Sequence, residues 1–387
     1  MAVVLGSDVL FDRDLVRGRT VGVVCNPASV GPGFQHVLER AAASNVRIGA
    51  IFGPQHGFRS DVQDNMIETA HATDARRRVP VYSLYSETRE PTADMLAGLE
   101  ALVVDLQDVG TRVYTYVYTM AHCMIAAKRV GLPVIVCDRP NPIGGVAVEG
   151  PVLEPECASF VGEYPIPLRH GMTIGELATL FNDHFGIGCK LEVVRMLNWT
   201  RSSYHDDTGL PWVMPSPNIP TLDSATVYAG TVLFEGTNVS EGRGTTRPFE
   251  LLGAPWVDPE PFAAALNAQR LPGVHFRPVV LEPTFHKHAR TTIGGCQIHV
   301  TDRHAFRPVW TGVALIEAFQ RADPDRFAWR DPPYEYEYTR MPIDLLFGTS
   351  YLRDALANGV MAAEIADAWA SDVDRFVSVR SRFLLYD

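Results

Sequence analysis

A chain of 387 residues is too long for one ordinary core and about the length of two domains. With 46% hydrophobic and 20% charged residues it is neither a disordered nor a fibrous polymer. A net charge of −11 argues against nucleic acid or an anionic membrane surface as its main partner.

Apolar runs and helical patterns alternate through the first half. Val21–Cys25 reads as a buried strand, Phe34–Ala43 as a helix, Val46–Phe52 as the second strand and Val81–Leu84 as the third. A helix over Thr92–Leu99, a strand over Ala101–Leu106, a long helix over Tyr114–Val130 and a strand over Pro133–Cys137 follow. Strands this apolar, separated by helices, predict a parallel sheet covered on both faces. Thr173 with Glu176 forms a capping-box signature that opens a helix to Phe185, and Lys190–Met196 is a further strand. Leu210–Asp223 reads as an ordered irregular crossing, and Glu235–Pro255 is rich in glycine, threonine and charge. Beyond it, Pro261–Gln269 looks helical, Val274–Leu281 and Gly295–Val300 look like strands, and Ala305–Arg321 and Met361–Phe376 look helical. The pattern predicts an α/β domain over residues 1–228 and a smaller α+β domain over 229–387.

No apolar run approaches the roughly 18 residues of a membrane helix, and the start lacks the three regions of a signal peptide. Cys25, Cys123, Cys137, Cys157, Cys189 and Cys296 show no CxxC spacing, which suits buried thiols in the cytoplasm.

Each strand of the first domain runs into polar or glycine residues: Asn26-Pro27, Gln55-His56-Gly57-Phe58-Arg59, Gln107-Asp108 with Arg112, and Asp138-Arg139-Pro140-Asn141. Open parallel sheets bind ligands at that edge, so the convergence predicts a site. The turn after the first strand has neither G-x-G-x-x-G nor a Walker lysine, which leaves no nucleotide cofactor to expect. His56, Asp61, Asp64 and His71 have no recognised metal-ligand spacing, and no metal is expected. Carboxylates offer the better chemistry, because glycosidic bonds are usually cut by two positioned acids. Glu149, between small and rigid neighbours, is one candidate. Glu235, Asn238, Glu241 and Arg243 in the glycine-rich loop of the second domain are others.

At these motifs the chain resembles the exo-β-N-acetylmuramidases of the NamZ type. The shared stretches include FGPQHGF (52–58), DLQDVGTRVYTYVYTM (105–120), DRPNPIGG (138–145), VEGPVLEPECASFVGEYPIPLRHGMTIGELA (148–178), PSPNIPT (215–221), EGTNVSEGRGTTRPFELLGAPW (235–256) and PTFHKH (283–288). The resemblance implies a Rossmann-like N-terminal domain, an auxiliary C-terminal domain closing a cleft, and release of terminal β-linked N-acetylmuramic acid from peptidoglycan fragments during cell-wall recycling. It also exposes a departure: Gln55 stands where the family pattern has its proposed catalytic glutamate. A glutamine cannot shuttle a proton. Three readings stay open: Glu149 acts as sole acid while the substrate's N-acetyl group attacks and Gln55 and His56 position it; Asp61, Asp64 or Glu68 takes over; or the chain only binds or senses an amino sugar. Arg59, Arg112, Arg139 and Arg243 are the candidates to grip a lactyl carboxylate. Asp108, Asp138, Asn141, His170, Asn218, Glu235, Asn238 and Glu241 are the candidate sugar contacts.

Overall fold

The computed structural model describes residues 2–63 and 66–387. Strands β1 (Thr20–Cys25), β2 (Arg47–Gly53), β3 (Ala72–Asp74), β4 (Val79–Ser83), β5 (Ala101–Asp105) and β6 (Val134–Cys137) lie in the main sheet. β7 (Glu149–Val152) and β8 (Pro167–Arg169) form a separate antiparallel ribbon, and β9 (Leu191–Val194) rejoins the main sheet. The order is β3-β4-β2-β1-β5-β6-β9, parallel except for β3. The chain first builds outward from β1 through β2 to β4, then returns to place β5 on the other side of β1. That reversal is the switch point of a doubly wound, Rossmann-like sheet.

Both faces are covered, as the apolar strands required. Val21, Val23 and Cys25 of β1 pack with α1 (Gly6–Asp12) and α2 (Val37–Ala43). The alternate residue Val24 joins Phe52, Val104 and Val136 under α4 (Tyr116–Val130), which follows the short α3 (Ala93–Leu96). The expected capping box is present at α5 (Ile174–Thr179): Glu176 N–H donates to Thr173 and Thr173 N–H to Glu176. The helix then widens into a π-turn over Leu180–His184.

In the second half, β10 (Leu251–Ala254), β11 (Val274–Leu281) and β12 (Ile293–Val300) form an antiparallel sheet in the order β10-β12-β11. Around it lie α6 (Leu222–Thr231), α7 (Pro259–Ala268) and α8 (Pro308–Ala322), followed by α9 (Pro342–Phe347), α10 (Tyr351–Ala357), α11 (Ala362–Ala368) and α12 (Ala370–Arg380). Helix α6 runs across residue 228 and crosses α8 in direct backbone contact. A Cβ on Gly230 would lie 1.8 Å from the Pro308 carbonyl oxygen, and one on Gly312 would lie 2.4 Å from that of Gly230. Only glycine fits at either position. One core continues from the α4 side of the sheet into α6 and α8, so the halves are not separately closed bodies.

The C-terminus returns to the first strands' edge. Tyr386 donates to Asp138 Oδ2 (2.6 Å), as does Thr173 (2.8 Å), while the Gly175 and Arg139 amides donate to Oδ1 (2.8 and 3.0 Å). Asp138, expected to touch sugar, is instead fully buried and saturated by protein donors. Burial pushes its carboxyl up to about 7, against the pull of the Tyr386 hydroxyl. A folded pKa above the unfolded value means that the folded state binds the proton more tightly. The Asp138 contribution to stability is therefore complete below 3.8 and lost as pH rises through about 7. Urea titrations should show this slope and find it flattened in Asp138→Asn. Tyr386→Phe should lose about 1–3 kcal/mol of unfolding free energy at neutral pH.

Candidate active site

The loop after β2 turns back at once, since Gly53 leaves only 2.6 Å between a would-be Cβ and the Phe58 amide nitrogen. This reversal tucks Gln55 beneath the start of α4. The Gln55 amide is buried and fully directed: Thr115 Oγ1, at the N-cap of α4, donates to its Oε1 (2.7 Å), and its Nε2 donates to Glu335 Oε1 (3.2 Å). His56 follows with φ 69°, in the left-handed region that non-glycine residues rarely enter, and its Nδ1 lies 2.8 Å from the Val62 carbonyl.

Glu335 comes from a tight turn in the second half. Tyr334 and Glu337 exchange backbone hydrogen bonds of 2.9 Å, and Glu335 and Tyr336 between them have φ 44° and 65°. Two successive positive φ values belong to turns that ordinarily take Asn and Gly. A glutamate and a tyrosine held there store backbone strain, of the kind that gathers at functional sites. The turn delivers the carboxyl into the first domain, where Tyr85 donates to Oε2 (2.6 Å). The Tyr85 ring lies under the Arg89 guanidinium (4.0 Å) and meets Tyr336 edge-on. Burial raises the Glu335 pKa above the usual carboxylate range, opposed by the Tyr85 hydrogen bond and reinforced by nearby Glu235.

Gln55, His56 and Glu335 line one polar pocket with Tyr114, Thr115, Asn218, Tyr228, Glu235, Arg243 and Tyr334. Glu235 Oε1 accepts from Arg243 Nη2 (2.5 Å) and its Oε2 from the Tyr334 hydroxyl (2.5 Å). Arg243 Nε faces Glu241 at 3.2 Å, and Lys287 in turn donates to Glu241 (2.8 Å). Arg243 Nη1 is buried and has no hydrogen-bond partner among the described residues.

The sequence thus anticipated Gln55, His56, Asn218, Glu235 and Arg243, which the fold brings together. Other candidates are bound up in the structure. Arg112 is fully buried and donates to the carbonyls of Pro151, Ile166 and Leu346, and Arg139 grips Asp105 with two hydrogen bonds of 2.6 and 2.9 Å. Asn141 bridges Met172 and Ile143, Asp108 accepts the Gly110 amide beside His170, and Asn238 joins Arg326 and Ala328. Glu241 is ringed by Arg243, His286 and Lys287 and is not among the residues that line the pocket. Arg59, Asp61 and Glu68 are exposed and border a different surface cleft, of about 450 Å³. Asp64 lies outside the described residues. Among these residues no group of three metal-ligating side chains is gathered.

Glu149 departs most from expectation. It is buried on β7, and its Oε1 accepts the Trp310 amide (2.8 Å) in the first turn of α8, with Arg307 3.7 Å away. A carboxylate there serves the orphan amides and positive end of the helix. It is not among the residues that line the Gln55 pocket. Burial raises its pKa and the Trp310 amide opposes the rise, so a perturbed carboxyl alone does not mark the reacting centre. Glu149→Gln should therefore lower unfolding free energy by about 1 kcal/mol in a denaturant titration, while turnover under folding conditions stays within threefold or so. Glu335, by contrast, is almost unmarked in the sequence. Its only sequence signal is the alternation of tyrosine and glutamate over residues 334–338, straight after two prolines.

Comparison with known proteins bears on this geometry. The family model described as exo-β-N-acetylmuramidase NamZ, N-terminal, matches residues 21–223, and its C-terminal counterpart matches residues 226–386. The peptidoglycan β-N-acetylmuramidase NamZ of Bacillus subtilis is 45% identical over 384 residues, spanning 98% of this chain and 91% of that protein. Two crystal structures of DUF1343-family proteins from Bacteroides fragilis align over 100% of this chain and 99% of theirs. One has a TM-score of 0.90 at 33% identity and the other 0.76 at 29%.

Proposed function

The chain belongs to the exo-β-N-acetylmuramidase NamZ family, and on that footing we propose that it hydrolyses the terminal β-linked N-acetylmuramic acid from peptidoglycan-derived fragments in the pocket around Gln55. The observation that carries this reading is Arg243. N-acetylmuramic acid differs from N-acetylglucosamine by a lactyl ether ending in a carboxylate, so an enzyme selecting it needs a cation beside the sugar. Arg243 supplies one whose orientation is fixed by Glu235 and Glu241 and whose Nη1 is left without a protein acceptor among the described residues. A guanidinium held in this way greets an incoming carboxylate with little reorganisation. Tyr114, Tyr228 and Tyr334 add flat apolar faces suited to a sugar ring.

Such a reaction consumes the fragments of wall turnover, and we place it in cell-wall recycling in the cytoplasm. All six cysteines are unpaired thiols, as a reducing compartment favours. Among the described residues no helix is long and apolar enough to cross a membrane. A second reading, a sugar-binding protein without turnover, draws on Gln55 at the centre of the pocket, since its amide moves no proton.

Incubation with a muramic acid–glucosamine disaccharide, followed by chromatography of the released sugar, separates the two; binding without release would favour the sensor. Arg243→Ala should lower kcat/KM for a muramide by about 10–100-fold, the cost of a charge-assisted hydrogen bond. The same variant should change a glucosaminide lacking the lactyl group far less. An unaltered muramide-to-glucosaminide ratio would remove Arg243 from substrate recognition.

A further inference from the structure

We propose that Glu335, contributed by the second half of the chain, is the catalytic acid of the Gln55 pocket, with Gln55 and Tyr85 as its positioning residues. The inference rests on the glycosidase reading above and names the group that carries its proton.

Three observations lead to it. Hydrolysis of a sugar–sugar bond needs a proton for the departing oxygen, and Gln55 cannot provide one. Of the two glutamates lining the pocket, Glu235 is paired with a cation, its Oε1 accepting from the Arg243 guanidinium and its Oε2 from Tyr334. Glu335 has no cation within ion-pairing distance among the described residues; it is buried, and its listeners are the neutral donors Gln55 and Tyr85. The strained turn that presents it is the third observation, because positive φ at two successive bulky residues persists only where the surroundings hold it.

The same two donors suit both states of the acid. Protonated Glu335 gives its proton to the glycosidic oxygen as the bond from that oxygen to the anomeric carbon breaks. The bonding electron pair stays with the oxygen, and the rest of the fragment leaves as an alcohol. The carboxylate left behind accepts hydrogen bonds from Gln55 Nε2 and Tyr85 Oη, which are already in place. Water adds to the anomeric carbon and gives up one proton, which restores the acid; one water is consumed for each bond cut.

The test uses the full-length chain, Glu335→Gln, and two muramides: a disaccharide, whose leaving sugar needs protonation, and a nitrophenyl glycoside, whose leaving group does not. Loss of about 10²–10⁴-fold in kcat on the disaccharide, with loss below about tenfold on the nitrophenyl glycoside, is expected. The alkaline limb of the disaccharide pH profile should vanish with it. Equal losses on both substrates, or none, would overturn the assignment while leaving the glycosidase reading intact. A wild-type chain that releases sugar from neither substrate would overturn both. Tyr85→Phe provides the check on folding: it keeps the ring beneath Arg89, and it should shift the alkaline limb rather than abolish turnover. An unmoved limb would count against the assignment.

Discussion

A carboxyl group taken out of water must find donors, and those that receive Glu335 lie in the other half of the chain. Gln55 follows β2 and Tyr85 follows β4, while Glu335 sits on a turn some 280 residues beyond Gln55. Burial without them would leave a polar group unsatisfied at a cost of roughly 1–3 kcal/mol. This dependence makes the docking of the halves and the assembly of the pocket a single event. The α6–α8 crossing shapes the second half itself, because the Gly230–Gly312 contact fixes how closely those two helices pack. A few residues beyond Gly230 the chain delivers Glu235 to the same pocket.

Charge in the pocket wall is arranged in layers. Lys287 and Arg243 flank Glu241, Arg243 reaches on to Glu235, and Tyr334 closes the row. Each buried carboxylate in this row meets a cation, as burial demands. Burial raises the charged-state cost of Glu241, yet Lys287, His286 and Arg243 outweigh it and hold its pKa well below the usual range. Glu335 lies past the last cation and keeps the raised pKa that burial gives it. Two glutamates lining one cavity thus sit in opposite environments, one paired with a guanidinium and one held only by neutral donors.

The sheet was legible because its strands are near-continuous apolar runs, as Ala101–Asp105 shows. β3, β7 and β8 were not, for they are three or four residues long and contain Asp, Glu, Gly, Pro or Arg. The helix expected over Met361–Phe376 is two helices broken at Trp369, an interruption that periodicity alone does not register. Among site residues, Gln55 and His56 could be found because a loop after a parallel strand must lie at the binding edge. Arg112, Arg139 and Arg243 look alike as letters. Only the fold reveals that the first two reach carbonyls and Asp105 away from the pocket, while Arg243 lines it with its Nη1 uncommitted. Glu335 had no periodic signal, since an irregular turn has none, and its partners are distant in sequence.

That distance has a bearing on synthesis. The ribosome releases the whole Rossmann-like sheet, with Gln55 and Tyr85 in place, long before residue 335 emerges. The Tyr386 hydroxyl that closes over Asp138 arrives later still. A nascent product that has not yet reached residue 335 can therefore carry the sheet with Gln55 and Tyr85 at its edge, yet lack the turn that bears Glu335.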